Sequence, residues 1–295
     1  MAEQMACITR GSVTVSDSIS VAEVASDPML PATGSSFYTA MRVLPALQRQ
    51  AMFGIYAFCR AVDDIADSDA PAAARRADLE HWRRDIDACY AGNAPPRLLS
   101  LHRQILAFDL ERDDFQAVID GMMMDADAAI CAPDADTLEI YCDRVASAVG
   151  RLSVRVFGMQ RDDGIALAHH LGRALQFTNI LRDIDEDAGI GRVYLPREAL
   201  LAAGVELGAS AAIVAHPAIP TACASLVTQA QAHFQAAEAI MRRSPRRVVR
   251  APRIMAAAYQ AILMRLLARG WARPRYPVKV PKLQRIGILL RFAFI

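Results

Sequence analysis

The feature that most constrains the fold of this chain is a helical period that continues through most of its length. From Ser35 onward, apolar residues recur every three or four positions, and no segment alternates apolar and polar residues as a half-buried strand would. No segment repeats with the period of about 20 to 50 residues that is typical of solenoids. The sequence therefore predicts one all-α domain, a bundle of eight or more helices. The predicted helices span 36–43, 45–68, 72–91, 96–108, 111–130, 134–157, 162–188, 196–203, 209–242 and 249–270. Breaks are predicted at Pro71, Gly92 to Pro96, Pro133, Gly158, Gly189 to Gly191, Pro217 to Pro220, Pro245 and Pro252.

Two stretches within these helices, 51–61 and 166–181, are apolar on nearly every face. A helix of this kind is normally surrounded by other helices, so we expect both to lie at the centre of the bundle. Carboxylates on such a helix need a physical reason, because an unpaired buried charge is costly.

The first group of such carboxylates follows 51–61. Asp63 and Asp67 are four residues apart and share a helix face. Asp64 lies beside them, and Arg60 lies one turn before Asp63. We call the four residues the first ladder.

The second ladder is a polar stripe at the end of 166–181. Asn179, Asp183 and Asp187 follow one another at four-residue spacing, and Gln176 lies one turn before Asn179. Apolar residues occupy the other faces of this segment.

Two acidic ladders of this kind predict a site for divalent cations. Like charges four residues apart repel by about a few tenths of a kcal/mol in water, and by more in a partly buried groove. Mg²⁺ removes this repulsion, because it prefers carboxylate oxygens and completes its shell with water and substrate phosphates. Bound to a diphosphate, it acts as a Lewis acid when the diphosphate leaves an allylic carbon, and the resulting carbocation needs a dry apolar cavity. The alternative is a solvated acidic face near a helix end.

Composition and motifs exclude several other classes of protein. With 54% apolar and 22% charged residues, the chain is neither disordered nor fibrous. It contains no GxGxxG, P-loop, HExxH or nucleophile-elbow motif. The six cysteines have no CxxC spacing and are expected to be reduced, and the six histidines are interpreted as structural or exposed. Residues 1–30 lack the pattern of a secretory signal, so we expect a cytoplasmic protein.

Several segments, in their order and spacing, resemble the squalene/phytoene synthase family of head-to-head prenyl synthases. The resemblance extends from about residue 35 to about residue 283. Its segments are SSFY (35–38), YAFCRAVDDIAD (56–67), YCDRVASAVG (141–150), QFTNILRDIDED (176–187), GRVYLP (191–196) and YQAIL (259–263). Within the family, DGMMMD (120–125) and VASAVGRLS (145–153) are most similar to the bacterial members of the hopanoid pathway.

This resemblance implies a helical isoprenoid-synthase bundle around a central channel, and a Mg²⁺-dependent prenyltransferase. The implied reaction joins two farnesyl diphosphates into presqualene diphosphate and releases one diphosphate, and we expect it not to require NADPH. The implied metal ligands are Asp63, Asp67, Asp183 and Asp187, supported by Asp64 and Asn179. The implied substrate and catalytic residues are Arg60, Arg182, Ser36, Tyr56, Tyr141, Gln176 and Tyr259. The base that removes the proton in ring closure is either the released diphosphate or a tyrosine.

The chain departs from the family pattern at two places. The segment 32–36 lacks the basic or His residues that often precede the Ser-Phe pair. Many members also have Tyr at the position of Arg144, and Arg cannot act there as an acid or base because it stays protonated. We hypothesise that Arg144 holds the diphosphate of the intermediate.

The sequence leaves three other functions open. A phytoene synthase would use two geranylgeranyl diphosphates, and a full squalene synthase would also reduce the intermediate with a nicotinamide cofactor. An assembly protein with the same fold would have no activity, although loss of the aspartates would then be expected.

Charge is distributed unevenly along the chain. Residues 1–240 carry 19 Arg against 32 Asp or Glu, whereas residues 241–295 carry 14 Arg or Lys and no acid. Basic and apolar residues interleave over 280–294, which favours peripheral contact with the inner face of a membrane; the alternative is a solvated basic face, and contact with nucleic acid is not favoured. We therefore divide the chain into a disordered segment (1–34), a catalytic all-α domain (35–276) and a basic, apolar tail (277–295).

Overall fold

The structure is a computed structural model that describes residues 40–127 and 130–293, without the side chain of Ala293. These residues belong to one compact unit, 31–295. They form helices and, within the described ranges, no strand; one isolated bridge joins Cys131 to Val193. The all-α prediction is therefore confirmed, whereas the segment 1–34 lies outside the described residues. The helices are α1 (Ala46–Ala66), α2 (Ala72–Tyr90), α3 (Leu99–Phe108), α4 (Arg112–Asp127), α5 (Ala135–Cys142), α6 (Ala148–Phe157), α7 (Arg161–Arg182), α8 (Ile184–Gly189), α9 (Arg197–Ala202), α10 (Ser210–Ala215), α11 (Ile219–Arg243), α12 (Arg246–Arg269) and α13 (Lys282–Ala293).

Helix α7 is the central helix, as its apolar sequence predicts. It packs against α5, α6, α11 and α12, and it buries residues on every face. Two glycines allow close approach to its neighbours. A Cβ at Gly172 would lie 3.0 Å from the backbone of Ser147, and a Cβ at Gly150 on α6 would lie 3.0 Å from the backbone of Ala168. A larger residue at either position would therefore separate these elements.

Two apolar clusters make up the core. One is built around α7 and α11, and the other combines α1, α2, α4 and α6. The first ladder lies at the carboxyl-terminal end of α1, and the second runs from the end of α7 across Asp183 into α8.

The predicted helix boundaries were wrong at three places in the middle of the chain. The helix predicted over 134–157 contains a π-helical turn, Asp143–Ser147, between α5 and α6. The helix predicted over 162–188 ends at Arg182, because Asp183 leaves the helical region with φ −100° and ψ 18°. The span predicted as one helix over 209–242 is two helices, α10 and α11, which are divided at the predicted break, Pro217 to Pro220.

Two further corrections concern the carboxyl-terminal third. Pro252 was predicted to break a helix, but α12 begins at Arg246 and continues through it. The buried neighbours Val249, Ala251 and Ile254 anchor both sides of Pro252, so packing offsets the missing backbone hydrogen bond. Helix α13, which was not predicted, lies against α12.

The structure also shows the state of the described cysteines and whether a described helix could span a membrane. All five described cysteines are free thiols, as expected, and Cys7 lies outside the described residues. None of the helices in 40–127 and 130–293 is both long and apolar enough to cross a bilayer.

Candidate active site

A cavity of about 470 Å³ lies where the two ladders meet. Its walls come from α1, α4, α5, the π turn, α6, α7, α8 and the segment that follows α8. Most of the residues selected from the sequence line it. They are Tyr56, Arg60, Asp63, Asp67, Tyr141, Gln176, Asn179, Arg182, Asp183 and Asp187.

Three of the other selected residues do not line the cavity. The side chain of Asp64 is 57% exposed and lies outside the lining of the cavity. It forms an ion pair with Arg60, whose Nη2 is 2.7 Å from Asp64 Oδ1. Arg144 lies on the π turn and is not among the lining residues, although its neighbour Val145 is. Tyr259 also does not line the cavity, but it lies close to Arg182, which does. Ser36 lies outside the described residues.

The first ladder is held at the end of α1 by its own arginine. Arg60 Nη1 lies 3.2 Å from Asp63 Oδ2, on the next turn of the helix. Partial burial raises the pKa of Asp63 to about 6, and repulsion from Asp67 adds to this increase. The ladder therefore contains a carboxylate that the protein alone does not fully neutralise.

The second ladder is shaped by the break in the helix at Asp183. Backbone hydrogen bonds from Asp183 N to Asn179 O (2.9 Å) and from Asp187 N to Asp183 O (2.8 Å) keep the stripe continuous across the break. Arg182 donates two hydrogen bonds to Asp183, from Nε at 2.7 Å and from Nη2 at 2.6 Å. Burial and the neighbouring Asp183 raise the pKa of Asp187 to about 7.

Three further residues complete the polar wall of the cavity, and the sequence reasoning did not assign them a role. Arg192 contacts Asp67 Oδ1 at 2.5 Å through Nη1 and donates from Nη2 to the carbonyl of Ala66 at 3.1 Å. It thus ties the segment after α8 to the end of α1. Its Nε also lies 3.7 Å from Asp125, which is 4% exposed. The third of these additional residues is Tyr194, which also lines the cavity.

Asp125 is the centre of this buried network. It accepts hydrogen bonds from the hydroxyls of Tyr141 (2.9 Å) and Tyr194 (2.7 Å), whose rings are stacked with centroids 4.9 Å apart. Burial raises the pKa of Asp125, and Arg192 and the two tyrosines oppose that increase. A signal was present in the sequence, because Asp125 shares a helix face with the apolar residues Val118 and Met122.

The donor set of the cavity fits a hard divalent cation. Its ligating atoms are carboxylate and amide oxygens, which Mg²⁺ and Ca²⁺ prefer. Asn179 Oδ1 is buried and has no hydrogen-bond partner among the described residues. Asp63 and Asp187 both have raised pKa values, which shows that the protein alone leaves negative charge uncompensated there. A bound cation would satisfy the amide oxygen and neutralise these carboxylates.

The chain is similar to proteins of known activity. The sequence model of the squalene/phytoene synthase family matches residues 30–284. The presqualene diphosphate synthase of Rhodopseudomonas palustris (strain ATCC BAA-98 / CGA009) is 60% identical over 264 residues, which cover 90% of this chain and 95% of that protein. The phytoene synthase of Mycobacterium tuberculosis (strain ATCC 25618 / H37Rv) is 37% identical over 172 residues, covering 58% of this chain and 56% of that protein.

The fold is also similar to that of solved structures. A dehydrosqualene synthase crystallised with a ligand superposes with a TM-score of 0.75 at 26% sequence identity. The match covers 87% of this chain and 90% of that one. The predicted helical isoprenoid-synthase bundle is therefore confirmed.

Proposed function

The chain belongs to the squalene/phytoene synthase family, and we propose that it joins two farnesyl diphosphates into presqualene diphosphate with release of one diphosphate. The observation that carries this proposal is the meeting of both acidic ladders, with Arg60 and Arg182, in one cavity. Similarity over 90% of the chain to a presqualene diphosphate synthase supports the choice of product. The matched phytoene synthase is only 37% identical, against 60% for the presqualene diphosphate synthase, which disfavours the C20 reaction.

The family's reaction uses isoprenyl diphosphates and a divalent metal, and we propose Mg²⁺ as the metal of this chain. Asp63, Asp67, Asn179, Asp183 and Asp187 would hold it. When bound, Mg²⁺ supplies Lewis-acid stabilisation of the leaving diphosphate. Asp64 is proposed only to orient Arg60, because it bonds to that side chain outside the cavity.

The arginines around the cavity are proposed to bind diphosphate oxygens. Arg60, Arg182 and Arg192 each present a guanidinium that now faces a carboxylate of the ladders. A guanidinium matches phosphate oxygens with two parallel hydrogen bonds. Because Tyr259 lies close to Arg182, we assign it the role of orienting that arginine.

A second cavity offers a dry environment for the prenyl chains. It has a volume of about 140 Å³ and shares Val149 with the polar cavity. Its walls are almost wholly apolar, with side chains from α1, α6, α7 and α12. We propose that the chains extend into it, so that a carbocation formed at the ladders is shielded from water.

The hydroxyl of Tyr141 is proposed to act as a hydrogen-bond donor in the resting enzyme. Burial, together with the charge of Asp125, holds the pKa of Tyr141 well above its usual range, so the phenol stays protonated at neutral pH. A protonated phenol cannot accept the proton lost in ring closure. We therefore favour the released diphosphate as the base, with Tyr141 and Gln176 positioning the reacting carbons.

A product assay tests the proposed reaction. Purified protein receives farnesyl diphosphate and Mg²⁺ with and without NADPH, in parallel with geranylgeranyl diphosphate. We expect presqualene diphosphate from farnesyl diphosphate in both mixtures. Squalene that forms only with NADPH would indicate a full squalene synthase, and product from the C20 substrate alone would indicate a phytoene synthase. No product from folded protein would favour the non-catalytic assembly protein.

We further propose that the tail contacts a membrane through α13. This helix carries Lys282, Arg285 and Arg291, while Leu283 and Leu290 are 83% and 58% exposed. The combination of basic and exposed apolar side chains suits the surface of an anionic bilayer. Flotation with vesicles containing anionic lipid should be lost in a Leu283→Ser/Leu290→Ser variant. This variant is preferable to truncation, because Ile288, Leu289 and Phe292 pack against the core. Equal flotation of both proteins would contradict the proposal.

A further inference from the structure

Three histidines meet where α7 and α11 cross. His169 and His170 are consecutive on α7, and His233 lies opposite them on α11. One ring nitrogen from each comes within 4.8 Å of the others, the closest convergence of three metal-ligating side chains among the described residues. None of the three lines either cavity of the proposed active site. From the sequence these histidines are interpreted as structural or exposed, and their convergence becomes visible only in the packing of α7 against α11.

The closest pair within this histidine cluster consists of two identical ring atoms. His170 Nδ1 and His233 Nδ1 are 3.0 Å apart. In the absence of a metal, one of these nitrogens must donate a proton and the other must accept it, so the two rings adopt different tautomers. A cation in place of that proton would let both rings present a lone pair, each with its proton on Nε2.

The surroundings keep the rings in the form that binds metals. Burial, and secondarily the other two histidines, lower the pKa of His233 to about 4. Burial also lowers the pKa of His170, followed by the charge of Arg173. Both rings are therefore neutral at pH 7, so metal binding releases no net proton and requires only that one Nδ1 proton moves to Nε2 of the same ring.

Charges from neighbouring elements also face the cluster. Arg173 follows on α7, one turn beyond His169, and a lone cation there would oppose a metal. The charge of Arg173 is balanced by Glu139 on α5, which accepts a hydrogen bond from Arg173 Nε at 2.7 Å. Arg173 Nη1 also donates to the hydroxyl of Ser147 at 2.8 Å. Burial and then the charge of Arg173 lower the pKa of His169, whereas Glu139 and Asp143 oppose that decrease, which places negative charge on the same side.

We propose that His169, His170 and His233 form a binding site for one transition-metal dication of the zinc type, separate from the Mg²⁺ ladders. Imidazole nitrogens suit Zn²⁺, Ni²⁺ and Cu²⁺, whereas Mg²⁺ prefers oxygen ligands. In a tetrahedral zinc site with Zn–N distances of about 2.0–2.1 Å, two ligating nitrogens lie about 3.3 Å apart. The His170–His233 pair therefore needs to open by only about 0.3 Å. His169 is exposed and can rotate to become the third ligand, and water completes the shell.

Binding of Co²⁺, a spectroscopic substitute for Zn²⁺, tests the site. Tag-free full-length protein is titrated with Co²⁺ in excess Mg²⁺, which keeps the carboxylate ladders occupied. We expect one Co²⁺ per chain with the visible absorption of a tetrahedral nitrogen site, and displacement of it by Zn²⁺. The variants are His170→Gln and His233→Gln, and the matched control is His81→Gln, which removes a histidine on α2 that lies outside the cluster. Far-UV circular dichroism checks that each variant is folded.

The outcomes separate the proposal from a simple hydrogen-bonded pair. Loss of the absorption in both cluster variants, with full retention in His81→Gln, supports the site. Absence of stoichiometric binding in the original protein overturns it, as does binding that is weakened no more in the cluster variants than in His81→Gln. If the half-buried variants do not fold, His169→Gln changes only the exposed ligand. We expect it to bind Co²⁺ more than about tenfold more weakly, since even an outer-shell partner contributes 10- to 100-fold to affinity.

Discussion

Replacing Tyr194 by Phe should test whether Asp125 carries a charge inside the protein. The substitution keeps the ring stacked on Tyr141 but removes the hydroxyl that donates to Asp125 at 2.7 Å. A hydrogen bond to a charged group contributes about 1.5–3 kcal/mol to stability, whereas one between neutral groups contributes about 0.5–1.5 kcal/mol. We therefore expect Tyr194→Phe to lower the free energy of unfolding at pH 8 by about 1.5–3 kcal/mol.

The chain offers a matched control for this measurement. The hydroxyl of Tyr90 donates to the backbone carbonyl of Leu110, also at 2.7 Å, so Tyr90→Phe removes a bond of equal length to a neutral acceptor. We expect a loss of only about 0.5–1.5 kcal/mol from that variant. Urea unfolding of the metal-free protein, followed by circular dichroism, gives both values.

The pH dependence of the stability lost in each variant is a second test of this prediction. Because burial raises the pKa of Asp125, its carboxyl group binds a proton at a higher pH in the folded protein than in the unfolded chain. Below that pKa the acceptor is neutral, and the two variants should lose similar stability. As the pH rises through it, the loss from Tyr194→Phe should grow while the loss from Tyr90→Phe stays constant. Equal losses at pH 8, or a loss from Tyr194→Phe that does not change with pH, would refute a charged Asp125.

Three other predictions concern the ladders and the packing around them. Asp187→Asn should abolish product formation yet stabilise the metal-free protein above pH 7, because it removes a carboxylate whose burial is uncompensated; a chemical denaturation curve that shows destabilisation would contradict this. Mg²⁺ added at pH 6 to weakly buffered protein should release protons, since the pKa values of Asp63 and Asp187 are about 6 and about 7 and the cation binds the ionised form; proton uptake would be inconsistent with ligation by these groups. Gly121→Ala should lower the free energy of unfolding by about 1–3 kcal/mol through overpacking, because its Cβ would lie 2.6 Å from Val145 Cγ1. Gly189→Ala, where no atom lies within 4 Å of the added Cβ, is the control and should be near neutral.

Periodicity and helix breakers in the sequence determined the fold class and most of the helices. The apolar character of 166–181 predicted correctly that α7 is central, because only a helix surrounded by others can bury every face. Spacing of four residues also predicted correctly which acids share a face within each ladder. These are local properties, which depend on the 3.6-residue period and not on the rest of the chain.

Tertiary structure decided what lies between the ladders. Arg192 joins Asp67 across 125 positions of the sequence, and Asp125 meets Tyr194 across 69. No local pattern encodes such pairs, because they depend on how the helices pack. For the same reason the sequence could not show that Asp64 points away from the cavity, or that His233 on one helix meets His170 on another.

The break at Asp183 and the π turn at Asp143–Ser147 show the same limit within single helices. Both segments have ordinary helical sequences, with neither Pro nor Gly at the distortion. The π turn packs closely against α7 at Gly172, and the break at Asp183 is accompanied by two hydrogen bonds from Arg182. The sequence by itself therefore determined which helices form and which faces are polar. Only tertiary packing decided where those helices bend, since local propensity differs by less than about 1 kcal/mol per residue and contacts between helices outweigh it.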